Sequence, residues 1–264
     1  MSTLILEETS GAVRRLTLNR PQARNALSLE MMRALIGALD RAAEDRDCRV
    51  VVLAAAGPAF CAGHDLKELV ALKSADGGGR GAHEIVFAVC RDLMLKIVTL
   101  PQPVIAQVQG IATAAGCQLV ASCDLAVAAR SARFATPGVN IGLFCSTPMV
   151  ALSRNVGRKQ AMEMLLTGDM VDAARAREMG LVNRVAADEA LEEETFALAR
   201  KVAEKSRTVI RMGKRAFYRQ AELPLAEAYL YTSEVMIENL AKADAEEGIS
   251  AFLEKRKPEW REEE

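Results

Sequence analysis

The sequence has no uninterrupted apolar run that approaches the roughly 18 residues of a membrane-spanning helix. Its first residues, MSTLILEETSG, also lack the basic segment and long apolar stretch of a secretory signal, and they lack an Arg-rich presequence. We expect no membrane-spanning helix. We therefore expect a cytoplasmic protein that has no membrane partner.

An excess of one charge is absent too, because 34 Lys and Arg residues face 35 Asp and Glu residues. The basic residues are dispersed except towards the C-terminal end, so we expect no nucleic-acid partner. The six cysteines lie in apolar segments and include no C-x-x-C pair. This pattern is typical of a reducing compartment and favours neither disulfides nor a metal site.

The 264 residues, of which 50% are hydrophobic, are enough to bury the core of one domain. Short apolar runs typical of buried strands dominate the first half, and amphipathic runs of helical period dominate the second half. The predicted fold is α/β, with a core over residues 1–185 and a helical region over residues 186–264. The predicted strands are 4–7, 13–18, 50–54, 104–109, 125–129 and 181–185.

One segment, SADGGGRG at residues 74–81, is glycine-rich and lies between two predicted helices. Glycine gives backbone freedom and no packing surface, so we expect this segment to be mobile. It is either a lid over a bound molecule or a plain surface loop.

Two other segments carry the functional signal: FCAGHDLKE at 60–68 and GIATAAGCQLVASCD at 110–124. Each follows an apolar strand and passes through small residues into the start of a predicted helix, where backbone N–H groups are free to bind an anion. A carbonyl oxygen gains negative charge during acyl chemistry. Each preorganised N–H donor aimed at such an oxygen is worth roughly 10²–10³ in rate.

These loops and five other segments resemble the enoyl-CoA hydratase/isomerase (crotonase) superfamily in order and spacing, over nearly the whole chain. The other segments are NRPQARNALS (19–28), PQPVIAQVQG (101–110), FATPGVNIGL (134–143), TGDMVDAARAREMGLVNRV (167–185) and AFLEKRKPEW (251–260). The resemblance implies a crotonase-like spiral of ββα turns with a C-terminal helical layer. In that family this layer commonly joins subunits into a homotrimer or a dimer of trimers.

The resemblance also implies roles for individual residues. The backbone N–H groups of His64 and Ala115 would form an oxyanion hole for an acyl-CoA substrate, with no separate cofactor. The residues implied to bind the substrate are Arg24, Ala26, Ala62, Asp65, Leu66, Lys67, Gly138, Asn140, Phe252 and Lys255. Of these, Phe252 and Lys255 would cap the nucleotide, often across a subunit boundary.

The chain departs from the family at two positions, because Gln118 and Gly138 stand where the resemblance places the two hydratase glutamates. Hydration needs a base to activate water and an acid to protonate the α carbon. Glutamine can orient a water molecule but cannot take its proton, and glycine has no side chain. Losing both groups would remove roughly 10⁴–10⁸ in rate. The single-glutamate isomerases of the family have their base at the position of Gly138. Isomerase activity would therefore be lost here for the same reason.

Other side chains leave alternatives open. Cys145 is either a nucleophile or a buried, inert thiol. The imidazole of His64 is either an acid or base or an incidental substitution, and Asp65 either serves the ligand or hydrogen-bonds the start of a helix.

Three functional hypotheses follow. The first is a divergent hydratase/isomerase-family lyase of fatty acid and lipid metabolism that uses Gln118 and water, with weak activity on simple substrates. The second is another thioester reaction, such as hydrolysis or decarboxylation. The third is a non-catalytic acyl-CoA binder. We adopt the first as the prediction.

Overall fold

The structure, a computed structural model, describes residues 3–75 and 80–261. The predicted mobile segment at 74–81 therefore lies, over residues 76–79, outside the described residues, and the lid hypothesis stays a prediction.

A six-stranded sheet forms the centre of the molecule. Its strands are β1 (Ile5–Ser10), β2 (Val13–Leu18), β3 (Val50–Ala55), β4 (Val104–Val108), β6 (Leu125–Ala129) and β9 (Arg184–Ala186). They lie in the order β1-β2-β3-β4-β6-β9, with β1 antiparallel to β2 and every other pair parallel. Every residue of β3 and β4 is buried. This burial explains why β3 is entirely apolar and why β4 contains one polar residue, Gln107.

A second, three-stranded sheet lies beside the functional loops. It contains β5 (Ile111–Thr113), β7 (Arg133–Ala135) and β8 (Val171–Asp172), in the order β5-β7-β8. The sequence analysis missed these strands, because two or three residues are too few to show a strand period. The pairing of β5 with β7 nevertheless places Thr113 opposite Ala135, directly before the second functional loop.

Helices cover the sheets and extend beyond them. They are α1 (Leu29–Glu44), α2 (Leu66–Ala75), α3 (Arg80–Thr99), α4 (Ala115–Ser122), α5 (Pro148–Leu152), α6 (Arg158–Thr167), α7 (Ala173–Glu178), α8 (Leu191–Ala203), α9 (Arg207–Gln220), α10 (Leu225–Leu240) and α11 (Ala243–Glu254). Helix α1 begins after Ser28, whose side chain accepts a hydrogen bond from the N–H of Met31 at 3.2 Å.

The predicted boundary at residue 185 falls within β9, which pairs with β6 in the main sheet. Helix α8 follows it and buries Leu191, Thr195 and Ala199. This helix contacts β2, β3, β4 and β6 and so belongs to the sheet layer. Helix α9 follows and packs against α10 and α11. The division of the chain into two regions at residue 185 stays a prediction.

The last two helices expose many apolar side chains. The large ones that are exposed on α10 and α11 are Leu225, Tyr229, Leu230, Met236, Ile237, Leu240, Ile249, Phe252 and Leu253. Such a surface is typical of a protein interface. Among the described residues, no helix combines the length and the apolar character needed to cross a membrane.

Candidate active site

The first functional loop, between β3 and α2, is held in place by a buried asparagine. The side-chain amide of Asn25 donates hydrogen bonds to the carbonyls of Ala56 (2.9 Å) and Ala59 (2.8 Å), and its oxygen accepts the N–H of Arg20 at 2.8 Å. Asn25 has a φ of +52°, a conformation that asparagine tolerates better than most residues. The sequence analysis missed this role, although Asn25 lies within the quoted segment NRPQARNALS.

Further along, the same loop pairs with the segment before α1 in a way that leaves one N–H group free. Leu27 donates to the carbonyl of Gly63 at 2.8 Å and accepts the N–H of Asp65 at 3.2 Å. The N–H of His64, between these two bonds, has no hydrogen-bond partner among the described residues. It is therefore available to a ligand.

The second loop contributes another free N–H group at the start of α4. Ala114 has φ +50° and ψ −117°, an unusual conformation for a residue with a side chain, and its N–H donates to Ala135 at 2.9 Å. Such backbone strain costs on the order of 1–3 kcal/mol and is often found at functional sites. Ala115 follows as the first helical residue, and its N–H has no partner in the described part of the chain.

The two loops touch beside these groups. A Cβ atom added to Gly63 would lie 2.9 Å from the Cβ of Ala114 and 3.5 Å from the nitrogen of Ala115. A Cβ added to Gly116 would lie only 2.1 Å from the carbonyl oxygen of Cys61. Both glycines are therefore required for the close approach of the loops.

Gln118 lies one turn into α4 and is 5% exposed. Its backbone N–H donates to Ala114 at 3.0 Å, but its side-chain Oε1 has no hydrogen-bond partner within the described residues. Buried polar atoms are almost always paired with protein, water or a ligand. An unsatisfied amide next to two free N–H groups therefore indicates a binding site for a polar group.

The position of Gly138 is filled by the protein itself. A Cβ atom there would lie 2.7 Å from the carbonyl oxygen of Leu143 and 3.0 Å from Sγ of Cys145. The N–H of Gly138 also donates to this sulfur at 3.4 Å. The turn over 138–145 thus leaves no room for a longer side chain, whereas the sequence alone suggested only that one was missing.

His64, Cys117 and Cys145 are uncharged at neutral pH, each because of burial. Burial lowers the pKa of His64, whose ring packs edge-on against Phe87 with 5.3 Å between centroids. Neither ring nitrogen of His64 has a hydrogen-bond partner in the described structure. Burial raises the pKa of Cys117 to about 12, and it also raises the pKa of Cys145. A thiolate nucleophile at Cys145 is therefore disfavoured.

Asp65 stabilises the first turn of α2. Its carboxylate accepts the N–H groups of Lys67 (3.0 Å) and Glu68 (3.3 Å) and pairs with Arg20 at 2.8 Å. Burial acts to raise the pKa of Asp65, but the hydrogen bonds from Arg20 and from the backbone outweigh it and leave the pKa lowered. Of the two interpretations of Asp65, these contacts support the structural one.

The remaining predicted substrate-binding residues fall into three places. Beside the first loop, Ala26 is buried, and the backbone carbonyl of Arg24 accepts the N–H of Ala62 at 3.0 Å. The side chains of Arg24, Leu66 and Lys67 are exposed, the last two at the start of α2. Asn140 is exposed, and its Nδ2 would lie 3.0 Å from a Cβ added to Gly168, after α6. Phe252, which is 82% exposed, and Lys255 lie at the end of α11.

Replacing Gly138 with glutamate is expected to lower the free energy of unfolding by about 1–3 kcal/mol and to produce no hydratase activity, because the new side chain collides with Leu143 and Cys145. Urea unfolding and crotonyl-CoA turnover measure the two effects. Gly213→Glu is the control, since nothing lies within 4 Å of a Cβ at that helical glycine. If the Gly138→Glu protein is stable and hydrates crotonyl-CoA, then Leu143 and Cys145 do not fill the space beside residue 138.

The model of the enoyl-CoA hydratase/isomerase family matches residues 8–263. The human mitochondrial enoyl-CoA hydratase domain-containing protein 3 is 50% identical over 248 residues, covering 94% of this chain and 80% of the human protein. Its counterpart from Xenopus laevis is 51% identical over 256 residues, covering 97% and 85%.

These names overturn one expectation from the sequence. The animal relatives are named mitochondrial, so the prediction of a cytoplasmic protein is wrong as an inference about this group. That prediction depended on the absence of an Arg-rich presequence from the first residues of this chain. The animal relatives have longer chains, so the location of those proteins cannot be judged from the first residues of this one.

Solved structures agree with the sequence comparison. The crystal structure of an enoyl-CoA hydratase from Mycobacterium smegmatis has a TM-score of 0.93 and 56% identity, covering 98% of this chain and 99% of that one. The structure of human enoyl-CoA hydratase domain-containing protein 3 has a TM-score of 0.92 and 47% identity, covering 97% and 100%. The predicted crotonase-like α/β fold and the predicted resemblance to the enoyl-CoA hydratase/isomerase family are confirmed. This chain belongs to the enoyl-CoA hydratase/isomerase family.

Proposed function

We propose that this protein binds an acyl-CoA thioester with the carbonyl oxygen between the N–H groups of His64 and Ala115. The observation that carries the proposal is that both groups lack partners among the described residues, where the two loops meet. The N-terminal end of α4 adds a partial positive charge at the same place. An oxygen that gains negative charge in this position is stabilised without any reorganisation of the protein.

The coenzyme A portion would lie along the first loop and reach the C-terminal helix of another subunit. Phe252 presents an exposed ring, and Lys255 offers a cation suited to a phosphate. The exposed apolar faces of α10 and α11 support a homotrimer or a dimer of trimers, in which a neighbouring copy covers them.

Hydration of a simple enoyl-CoA would be slow. Gln118 can orient a water molecule but cannot accept its proton, and no acid or base occupies the filled position at Gly138. We therefore propose an atypical member of the family that uses its oxyanion hole for a thioester. The lack of a carboxylate at both Gln118 and Gly138 favours a second candidate, in which the protein binds acyl-CoA without turnover.

The proposal is tested by thermal unfolding with acetyl-CoA, crotonyl-CoA and free coenzyme A, using Gly63→Ala as the variant. Acetyl-CoA at 100 times its dissociation constant should stabilise the unchanged protein by about 2.7 kcal/mol. Gly63→Ala should lose most of this effect, because its Cβ would enter the contact with Ala114. Gly11→Ala is the matched control, since Gly11 also has positive φ (+58°) but has nothing within 4 Å.

Two results would reject the proposal. One is the absence of stabilisation by either thioester. The other is equal stabilisation of Gly63→Ala and Gly11→Ala, which would place the thioester away from the loops. Rapid loss of the enoyl absorbance of crotonyl-CoA would instead show that an unrecognised base makes the protein an efficient hydratase.

A further inference from the structure

The chain has two histidines, and the fold uses their rings differently. His83 belongs to α3, and its Nε2 lies 2.9 Å from the carbonyl oxygen of Leu69, so its ring joins α3 to α2. Both ring nitrogens of His64 are buried, and neither has a hydrogen-bond partner in the described part of the chain. Buried polar atoms of proteins are almost always paired with protein, water or a ligand. The ring of His64 is therefore available to a bound molecule.

The ring of His64 belongs to the same residue as one of the two oxyanion donors. In the proposed binding mode the N–H of His64 holds the thioester oxygen. The α carbon of the thioester is two bonds from that oxygen, so it lies within one side-chain length of the ring. Phe87, which covers the ring edge-on, is 40% exposed and can turn outwards when an acyl group enters. The ring can thus reach the α carbon.

The imidazole is also in the protonation state that a base requires. Burial lowers the pKa of His64, so the ring is neutral at pH 7. A neutral imidazole has one ring nitrogen with a free electron pair. An unperturbed imidazole is a stronger base than a glutamate carboxylate, since their pKa values are about 6.5 and about 4.3. His64 can therefore accept a proton that neither Gln118 nor Gly138 can accept.

We propose that the imidazole of His64 is the catalytic base of this protein and that it removes a proton from the α carbon of the bound acyl-CoA. The inference rests on the proposed function, because it requires the thioester oxygen to lie between the N–H groups of His64 and Ala115. It adds the group that moves the proton. One residue then supplies both a backbone donor for the oxygen and a side-chain base for the carbon beside it.

The step is balanced within the site. The bond between the α carbon and its hydrogen breaks, and the proton goes to a ring nitrogen of His64. The electron pair of that bond forms the enolate, whose oxygen gains its negative charge between the two N–H groups. The imidazolium exchanges its proton with water and returns one to the α carbon. The step needs no oxidant, no reductant and no second base.

This role separates proton transfer at the α carbon from hydration. Hydration also needs a group that activates water for attack on the β carbon, and Gln118 cannot accept the proton of that water. A single base is sufficient to form an enolate. We therefore expect the protein to exchange the α hydrogens of a thioester while it hydrates a simple enoyl-CoA slowly.

The experiment incubates the full chain with acetyl-CoA in D₂O and follows deuterium in the acetyl group by mass spectrometry. We expect the unchanged protein to replace the methyl hydrogens with deuterium. His64→Gln should lower the rate of exchange by about 10²–10⁴-fold, because an amide has no basic atom. This variant keeps the backbone N–H, so acetyl-CoA should still stabilise it against thermal unfolding.

His83→Gln is the matched control, because a glutamine amide can donate to the carbonyl of Leu69 in place of the imidazole. Its rate of exchange should equal that of the unchanged protein. A second variant, His64→Ala, removes the ring and leaves a space beside Phe87. Added imidazole should restore exchange in His64→Ala. Pyrazole has the same shape but is a much weaker base, so it should not restore exchange.

Each contrary result has a distinct meaning. Absence of deuterium from acetyl-CoA that stabilises the unchanged protein would overturn the inference and leave the proposed function standing. Exchange in His64→Gln at the unchanged rate would show that another group is the base. Equal restoration of His64→Ala by imidazole and pyrazole would show that the ring only fills space, which also overturns the inference. Absence of stabilisation by every thioester would reject both the inference and the proposed function.

Discussion

Replacing Gly116 with alanine is expected to lower the free energy of unfolding by about 3 kcal/mol or more and to abolish binding of acyl-CoA. The new Cβ would lie 2.1 Å from the carbonyl oxygen and 2.9 Å from the Cβ of Cys61. Both belong to a buried part of the first loop that cannot move without opening the contact between the loops. Alanine gains about 1 kcal/mol of helix propensity over glycine, which the collision outweighs.

Urea unfolding of Gly116→Ala and of Gly213→Ala measures this effect with a matched control. Gly213 also lies inside a helix, α9, but no atom comes within 4 Å of an added Cβ there. Gly213→Ala should therefore be more stable than the unchanged protein by about 0.5–1 kcal/mol. If both variants gain stability, the loops are not in the close contact described.

Replacing Lys214 with methionine is expected to lower the free energy of unfolding by about 3 kcal/mol, because it leaves a largely buried carboxylate, 15% exposed, without its cation. The ammonium of Lys214 donates to Asp124 at 2.7 Å and to the carbonyls of Ile97 (3.0 Å) and Gln102 (2.9 Å). Asp124 also accepts the hydroxyl of Tyr218 at 2.9 Å. Burial lowers the pKa of Lys214, and the charge of Asp124 opposes that shift.

The control variant is Lys96→Met. It removes the ion pair of Lys96 with Asp40, in which both side chains are more than a third exposed. A surface pair of this kind is worth about 0–1 kcal/mol. Denaturant unfolding of both variants at neutral pH provides the measurement. A loss for Lys214→Met no larger than that for Lys96→Met would show that the buried pair does not stabilise the fold.

The pair of Asp124 and Lys214 also connects the C-terminal helices to the candidate site. Asp124 follows α4, the helix that presents Ala115 and Gln118, and Lys214 belongs to α9. The sequence analysis did not find this connection. The two residues are 90 positions apart, and neither belongs to a local pattern that would indicate the other.

What the sequence determined by itself was local. The small residues before His64 and Ala115 predicted two loops with free N–H groups, because this feature depends on a few neighbouring residues. The absence of carboxylates at Gln118 and Gly138 was equally readable, since it is a matter of residue identity.

Only the tertiary structure decided how those local features combine. It showed that Asn25 holds the first loop, and that Leu143 and Cys145 fill the space beside Gly138. It also located the buried pair of Asp124 and Lys214. Each of these contacts joins separate segments through the packing of the chain. Hydrophobic periodicity and turn chemistry report on neighbours along the chain, so they carry no information about which distant atoms occupy a shared space.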